Sequence, residues 1–151
     1  MDPIIPFEPK RSEHIPEGEE WIYQLKWDGV RILAYGEKGI VRLYNRKQRE
    51  RTNHYPELTE TAFLQAESFI VDGEVIALAA DGLPSFHEVM RRDGIRRMER
   101  VQEARRFVPI FYMIFDLLYI DGNWITNLPL HDRLDRLKNV MKQNEQMQVN
   151  S

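Results

Sequence analysis

The sequence contains no cysteine, which excludes disulfides and thiolate zinc sites and fits a reducing compartment. It has no apolar run of about 18 residues, so a membrane-spanning helix is not expected. The first six residues lack the basic region and apolar core of a secretion signal. A net positive charge is also absent, because 24 acidic residues outnumber 21 lysines and arginines. The net charge of −3 gives nucleic-acid binding no overall support, and a cytoplasmic protein is the expectation.

What is present is the composition of a folded globular domain. The chain has 151 residues, of which 42% are hydrophobic and 30% charged, enough for one domain with a core. The basic residues are clustered, with five in residues 41–51 and seven arginines in residues 91–106. Charge runs of this kind are usually solvated surface, and contact with nucleic-acid phosphates is the alternative.

The order of predicted elements indicates the fold class. Residues 1–20 hold four prolines and are expected to form an extended arm. Strands are predicted over residues 21–25, 30–35, 40–44, 68–78 and 109–119, the fourth interrupted at Asp72-Gly73, with turns over 36–39, 80–82 and 121–122. Helices are predicted over residues 56–65, from the capping box at Ser85, over 95–105 and over 130–141, followed by a frayed tail from residue 143. The pattern favours an α+β fold with mainly antiparallel sheet.

The segment Lys26-Trp27-Asp28-Gly29-Val30-Arg31 carries the most chemical information. A lysine amine has a pKa of about 10.4, so nearby cations, a metal or desolvation must lower that pKa before the amine can attack. Arg31 is expected to lie close beyond the turn and to act as one such cation. An exposed lysine before an ordinary Asp-Gly turn is the simpler interpretation of the first four residues alone.

This segment resembles motif I, Lys-x-Asp-Gly-x-Arg, of the ATP-dependent DNA ligases, which belong to the covalent nucleotidyltransferase superfamily. Four later segments resemble further parts of that family in the same order. They are Leu43-Tyr44-Asn45-Arg46, Phe69 to Val75 (motif III), Tyr112 to Leu118 (motif IIIa) and Leu128 to Leu134. The resemblance covers residues 21–142 and implies a partial adenylation domain of nucleotidyltransferase (ATP-grasp-like) fold, between an arm over 1–20 and a polar tail over 143–151.

The resemblance implies a role for each matching residue. Lys26 would attack the α-phosphate of ATP and hold AMP in a covalent bond. Arg31 and Arg46 would hold ribose or phosphate oxygens, as the planar guanidinium allows. Further expected nucleotide contacts are Gln24 at the adenine edge, Glu74 at the ribose hydroxyls or Mg²⁺, and Phe115 stacked on the adenine. The implied cofactors are ATP and Mg²⁺, and the implied activity is sealing DNA nicks in repair or recombination.

Several of these residues also have structural interpretations. Glu74 can be a turn acid, Phe115 a core residue and Arg46 a solvated base. The histidines show no metal-ligand spacing and are interpreted as structural or surface residues; they are His14, His54, His87 and His131. The implied partners are nicked or broken double-stranded DNA, with a downstream ligase fragment or end-joining repair proteins besides, in the bacterial cytosol or nucleoid.

The chain departs from the family in two ways. Asn45, Lys47 and Gln48 stand where Ser, Asn and Gly are usual around Arg46. The family's motifs IV and V and its OB domain are not in this sequence, so the chain is expected to be a truncated, split or excised part of a ligase, and activity of the chain alone is a weaker expectation. Three alternatives stay open: an RNA ligase or GTP-using capping enzyme, a non-catalytic nucleic-acid or partner-binding fragment, and a poorly folded remnant.

Overall fold

A computed structural model describes residues 28–60, 63–141 and 147–149. These residues form a six-stranded sheet with helices packed against it. The strands are β1 Val30–Glu37, β2 Ile40–Asn45, β3 Ser68–Ala77, β4 Ile110–Ile120, β5 Asn123–Trp124 and β6 Met147–Val149. The α-helices are α1 Phe86–Asp93, α2 Val101–Phe107 and α3 Leu130–Val140. The strand order is β2-β1-β3-β4-β5, all antiparallel, with β6 parallel to β4. The predicted α+β class with mainly antiparallel sheet is confirmed.

The hairpin of β1 and β2 forms where the sequence predicts it. Its loop is Lys38-Gly39, and both residues have positive φ, 54° and 79°. Two-residue loops of this conformation match the twist of the flanking strands, and glycine adopts it without a steric cost. The tight loop fixes the register, which pairs Ile32 with Asn45 at the far end of the hairpin.

The two faces of the sheet bury different sets of residues. Successive side chains of a strand point to opposite faces, and on β1 the even-numbered Ile32 and Ala34 belong to the main core. The helices cover this face through buried residues such as Val89 and Leu134. The opposite face carries a smaller cluster of Leu33, Tyr35, Ile70 and Leu118. Polar residues continue that second face beyond the cluster, and they form the candidate site described below.

A tyrosine ties the sheet together across its middle strand. Tyr112 of β4 is fully buried, and its hydroxyl donates to the carbonyl oxygen of Ile32 on β1 over 2.7 Å. Strand β3 lies between them, and Gly73 of β3 is opposite Ile32. A Cβ at Gly73 would lie 2.7 Å from Tyr112 Cε1 and 2.6 Å from the carbonyl oxygen of Met113. Glycine is therefore required there because the tyrosine ring passes directly over it.

A buried arginine joins α1 to two connecting segments. Arg92 is 0% exposed and makes a bidentate ion pair with Glu57 at 2.7 and 2.9 Å. Its guanidinium also donates to the carbonyl oxygens of His54 and Val108 and lies 5.8 Å from the centre of the Tyr55 ring. Such a desolvated charge is tolerated because both Nη groups bond to the Glu57 carboxylate and to backbone carbonyls, while Nε is buried without a partner. The pair fixes residues 52–58 against the core face.

Several predicted boundaries are wrong, and one predicted helix is absent from the residues described. Among the described residues of this range, 56–60 and 63–65, the helical structure is a 3₁₀ turn over Pro56–Leu58. The continuation pairs instead with the end of α3, through a bridge between Leu64 and Met141. Burial of Leu58, Phe63 and Leu64 in the core outweighs the helical tendency of the segment.

The other differences concern lengths and continuity. Strand β3 is continuous through Asp72-Gly73, although its register against β4 shifts there. The segment predicted as a helix over 95–105 begins later, with a 3₁₀ turn at Met98–Arg100 before α2. The helix from Ser85 is confirmed, since the Ser85 hydroxyl accepts from the Glu88 amide. The turns over 80–82 and 121–122 are also confirmed, with φ of 81° at Gly82 and 88° at Gly122.

The short strands β5 and β6 were not predicted. Residues 147–149 lie in the segment expected to be a frayed tail, yet they pair in parallel with β4 at Tyr112, Met113 and Ile114. Met147 is buried in the core, which explains why this polar segment is held. The predicted arm over 1–20 and strand over 21–25 lie outside the described residues. Of the helices described, none is long and apolar enough to cross a membrane.

Candidate active site

The chain enters the sheet through a close backbone contact at Gly29. A Cβ on this residue would lie 2.1 Å from the carbonyl oxygen of Val75 and 3.1 Å from Cγ of Glu74. Only glycine allows the backbone to approach β3 this closely. The glycine of motif I is thus explained by packing, and this contact places the start of β1 directly beside Glu74.

Arg31 and Glu74 are neighbours on β1 and β3, and Arg46 lies just beyond the end of β2. Arg31 is paired with Glu74 in the register of β1 and β3, and paired residues share a face. Arg46 follows Asn45, the last residue of β2, which is paired with Ile32. Both arginines act electrostatically on Glu74, and each lowers its pKa. Three of the residues predicted from motifs I, III and the Asn-Arg segment are therefore brought together by the strand register.

Arg31 connects Asp72 to Phe115. Its Nε and Nη2 donate to the two carboxylate oxygens of Asp72 at 3.1 and 2.6 Å. Its guanidinium carbon lies 5.2 Å from the centre of the Phe115 ring, within the range of a cation–π contact. Phe115 is half-buried and belongs to neither apolar cluster of the sheet. The structural interpretation of Phe115 as a core residue is therefore wrong, because its ring lies on the polar face.

A β-bulge in β4 produces this orientation. Asp116 is opposite Asp72 and Ile114 is opposite Gly73, so Phe115 is the extra residue of the pairing. In a bulge, two residues of one strand oppose one residue of its partner. Phe115 and Asp116 thus both reach the polar face, while Ile114 stays in the core.

The carboxylates of the site have unequal surroundings. Burial raises the pKa of Glu74 to about 7, and the charges of Arg31 and Arg46 only partly oppose that effect. Burial also raises the pKa of Asp72, against the direct hydrogen bonds from Arg31. Asp72 is therefore neutralised by a partner, whereas Glu74 is a half-buried carboxylate that an additional cation would stabilise. This difference makes Glu74 the better candidate for a metal or hydroxyl contact.

The turn that carries Arg46 is organised by Asn45. The Asn45 side-chain oxygen accepts from the backbone amides of Lys47 and Arg49, both at 3.0 Å. Gln48 closes the turn with a φ of 62°, a left-handed conformation that favours glycine. Asn45 therefore holds this turn through its side chain, and Gln48 takes the left-handed position where the family usually has glycine.

The last segment of the resemblance also contacts the site strand. Arg133 of α3 donates from Nε and Nη2 to the Asp116 carboxylate at 2.8 and 3.1 Å, and from Nη1 to the carbonyl of Leu128. This pair connects the Leu128–Leu134 segment to the strand of Phe115. It gives a physical reason for the two motifs to occur together.

Sequence reasoning found part of this arrangement. Arg31, Arg46, Glu74 and Phe115 lie on one face as expected, whereas Gln24 and Lys26 lie outside the described residues, so their placement stays a prediction. Asp72 and Asp116 were missed as site residues. A sequence signal was available for both. Asp72 lies two residues before Glu74, and Asp116 directly follows Phe115, each in a predicted strand where a carboxylate needs a partner.

His131 has acidic neighbours that the sequence interpretation did not recognise. One ligand atom each of His131, Asp132 and Asp135 lies within 4.8 Å of the others, at the start of α3. The i,i+4 pair of His131 and Asp135 is separated by 3.6 Å. All three side chains are exposed, and exposed acidic groups of this kind are common without an ion. The interpretation of His131 as a surface residue is confirmed.

Two arginines, an aromatic ring and a carboxylate lie on one face of an antiparallel sheet that follows a Lys-x-Asp-Gly segment, which is the arrangement expected of the covalent nucleotidyltransferases. Comparison with known proteins agrees. The sequence model described as the ATP-dependent DNA ligase domain matches residues 9–151. The chain belongs to this family.

Relatives and solved structures give the same result. A probable DNA ligase from Streptomyces coelicolor is 44% identical over 110 residues, which is 72% of this chain and 21% of that protein. The multifunctional non-homologous end joining protein LigD from Mycobacterium bovis is 34% identical over 118 residues, which is 78% of this chain and 14% of that protein. The ligase domain of Mycobacterium tuberculosis LigD is similar in structure, with a TM-score of 0.62 and 30% identity. The match covers 83% of this chain and 38% of that one. The chain thus spans about a fifth of the Streptomyces relative's length.

Proposed function

We propose that this chain performs the adenylation chemistry of an ATP-dependent DNA ligase, with Lys26 as the nucleophile. The observation that carries the proposal is the convergence of Arg31, Glu74 and Phe115 beside the backbone contact of Gly29. Arg46 is electrostatically coupled to the same carboxylate. The comparisons support the use of ATP, since a mycobacterial DNA ligase D with a TM-score of 0.59 was solved in complex with ATP.

The reaction needs little covalent chemistry from the protein beyond one amine. The Lys26 nitrogen would form a bond to the α-phosphorus of ATP, the bond to the bridging oxygen would break, and pyrophosphate would leave with its electron pair. The lysine proton passes to solvent or to a nearby base. Catalysis of such a transfer rests on positioning and on offsetting the developing negative charge.

The described residues supply both of these functions. Arg31 and Arg46 are cations on the face where the triphosphate would bind, and they also disfavour protonation of a nearby amine. Phe115 offers a ring for adenine, with Arg31 fixing its position. Gln24 would meet the adenine edge. Glu74 would bind the ribose hydroxyls. Its pKa is raised by burial, so a hydrogen-bond donor or a cation beside it would stabilise its charged form.

The carboxylate of Glu74 also fits Mg²⁺. Magnesium prefers oxygen ligands and is usually held by one or two carboxylates together with substrate phosphates. Glu74 is half-buried, and its charge is only partly offset by the arginines. When bound, Mg²⁺ would offset charge on the phosphate oxygens as pyrophosphate leaves.

The proposed substrate is nicked or broken double-stranded DNA, and end-joining repair is the proposed setting. Two observations favour this choice. The family is that of DNA ligases, and LigD, a relative, is described as an end-joining protein. A downstream ligase segment and end-joining proteins are the proposed partners. The partial adenylation domain over 21–142 and the location in the bacterial cytosol or nucleoid stay predictions.

The experiment is covalent labelling. The purified chain is incubated with Mg²⁺ and ATP labelled at the α-phosphate, and acid-labile label on the protein is measured. Wild-type protein should take up label, and Lys26→Ala should take up none. Label that persists in Lys26→Ala would overturn the nucleophile assignment. Equal labelling from GTP would favour a capping-type enzyme, and sealing of nicked RNA in preference to nicked DNA would favour an RNA ligase.

A further inference from the structure

The structure divides the arginines of the two basic segments into two groups. Within the segment 91–106, Arg92 is buried against Glu57, and Arg105 is paired with Glu60 at 2.8 Å. Arg91 is paired with Glu88. Arg92 and Arg105 join separate segments of the chain, whereas Arg91 pairs within α1. The exposed arginines of that segment are Arg91, Arg96, Arg97, Arg100 and Arg106.

The two basic segments are about 40 residues apart in sequence and are joined in the fold. Arg51 donates to Asp93 at the end of α1, with Nη2 at 3.1 Å from Oδ1. The Tyr55 hydroxyl donates to the same carboxylate oxygen. His54 Nε2 lies 3.1 Å from the carbonyl oxygen of Ile95. Residues 51–55 and 93–95 therefore meet at one junction, which lies at the end of one basic segment and inside the other and which the sequence alone does not show.

Four exposed bases lie within a few residues of this junction, and they are defined here as the basic ridge: Lys47, Arg49, Arg96 and Arg97. The nearest carboxylate, Asp93, is engaged by Arg51. Glu50 accepts from the Thr52 hydroxyl and keeps its negative charge, and Glu99 is the second exposed acid close in sequence, so the four bases face two acids. The ridge is therefore locally basic although the chain has a net charge of −3.

The basic ridge is continuous with the candidate active site. Arg46 immediately precedes Lys47 in the turn that Asn45 organises, and Arg46 is coupled to Glu74. Joining a nick requires the phosphate of the DNA strand to lie beside the bound nucleotide. The strand on either side of that phosphate must then pass over residues next to the site, and a line of bases suits a line of phosphates.

We propose that the basic ridge binds the phosphates of duplex DNA flanking the nick, and so sets the path of the DNA away from the nucleotide. This inference rests on the proposed function, since it takes the substrate to be nicked DNA. Contacts of this kind carry no base preference. They position the duplex and make its binding strongly dependent on salt.

The test uses two ridge variants and one matched control. The ridge variants are Lys47→Gln/Arg49→Gln and Arg96→Gln/Arg97→Gln, and each removes two positive charges. The control is Arg136→Gln/Lys138→Gln, which removes two exposed charges from α3. Binding of a fluorescent nicked duplex is measured from about 50 to 200 mM salt, and covalent labelling by ATP is measured in parallel. Thermal unfolding verifies that each variant is folded.

Each ridge variant should lower the salt slope by roughly 1.8, because each lost phosphate contact contributes about 0.9. The control should leave the slope unchanged, and all three variants should label at the wild-type rate, since labelling does not use DNA. An equal change in ridge and control variants, or a wild-type chain that does not bind the duplex, would overturn the ridge. If the ridge variants lose salt dependence but the wild-type chain takes up no label from ATP, the DNA-binding role of the ridge is supported and the proposed adenylation chemistry is overturned.

Discussion

Replacing Gly29 by alanine is the most direct perturbation of the site that leaves its charged groups unchanged. The new Cβ would lie 2.1 Å from the carbonyl oxygen of Val75, and ordinary van der Waals contact begins at 3.4 Å. The obstacle is backbone, which cannot turn aside as a flexible side chain would. The start of β1 must therefore move away from β3 by roughly 1 Å.

The size of the effect follows from that displacement. Overpacking of this kind costs about 1–3 kcal/mol of folding free energy, or about 2–4 °C in melting temperature for each kcal/mol in a chain of this size. A displacement of about 1 Å at reacting groups can lower a rate by about 100-fold. Gly29 is three residues after Lys26 and two before Arg31, so the labelling rate should fall more than the stability does.

The assay compares labelling rate and melting temperature for Gly29→Ala and for Gly82→Ala. Gly82 has a φ of 81° and no atom within 4 Å of a built Cβ, so its substitution costs about 1 kcal/mol of strain in the turn over 80–82. Gly82→Ala should lower the melting temperature and leave labelling unchanged. If Gly29→Ala labels at the wild-type rate, the close backbone contact does not position the nucleophile and the reasoning is refuted.

Three further perturbations test the electrostatics and the core. The folded-state pKa of Glu74 is about 7, against an ordinary value of 4.5, so the wild type should lose stability relative to Glu74→Gln as pH rises from 4.5 to 7, by on the order of 1 kcal/mol after solvent screening. Thermal unfolding of both proteins at pH 4 and at pH 8 should show this growing difference. A difference in stability that is the same at both pH values would contradict it. Arg92→Met should lower the free energy of urea unfolding by about 3–5 kcal/mol, because Glu57 is left buried without a partner. Adding Glu57→Leu should recover part of that loss. If nothing is recovered, the broken ion pair is not the cause. Tyr112→Phe should cost about 1–2 kcal/mol through the lost bond to the Ile32 carbonyl, and an unchanged denaturation midpoint would mean that this bond is not made.

Local patterns of the sequence predicted the strands that carry the site. Alternation and turn residues are short-range signals, so β1, β2 and their Lys38-Gly39 loop appear nearly where expected. The proximity of Arg31, Glu74 and Arg46 follows from register once the strands are correct. The motif positions were therefore enough to predict that these three residues lie close together.

Long-range effects could not be predicted in this way. The segment after Pro56 has helical composition, but its apolar residues are buried by pairing with the end of α3 instead. The polar strand β6 exists because Met147 fits the core beside β4. The pairing of Arg31 with Asp72 depends on a neighbour 41 residues away, which no local pattern encodes.

The same limit applies to the arginine-rich segment. The sequence presents seven arginines over residues 91–106 as one charge run, and a solvated helix face was the simplest interpretation. In the fold, Arg92 is among the most deeply buried side chains, while Arg96 and Arg97 are exposed. Only the positions of Glu57 and Glu60 in space separate the structural arginines from the accessible ones.

The bulged strand constrains how this region can change in length during evolution. Eleven residues of β4 run alongside nine of β3, so the strand holds two surplus positions, one of them Phe115. Removing Phe115 would leave Ile114 opposite Gly73 and Asp116 opposite Asp72, so the ladder would become regular and the core side chains would keep their face. The polar face would lose its aromatic ring. Deletion at this position is therefore compatible with the core and incompatible with a ring beside Arg31, and we expect homologues that keep the aromatic group to keep the bulge as well.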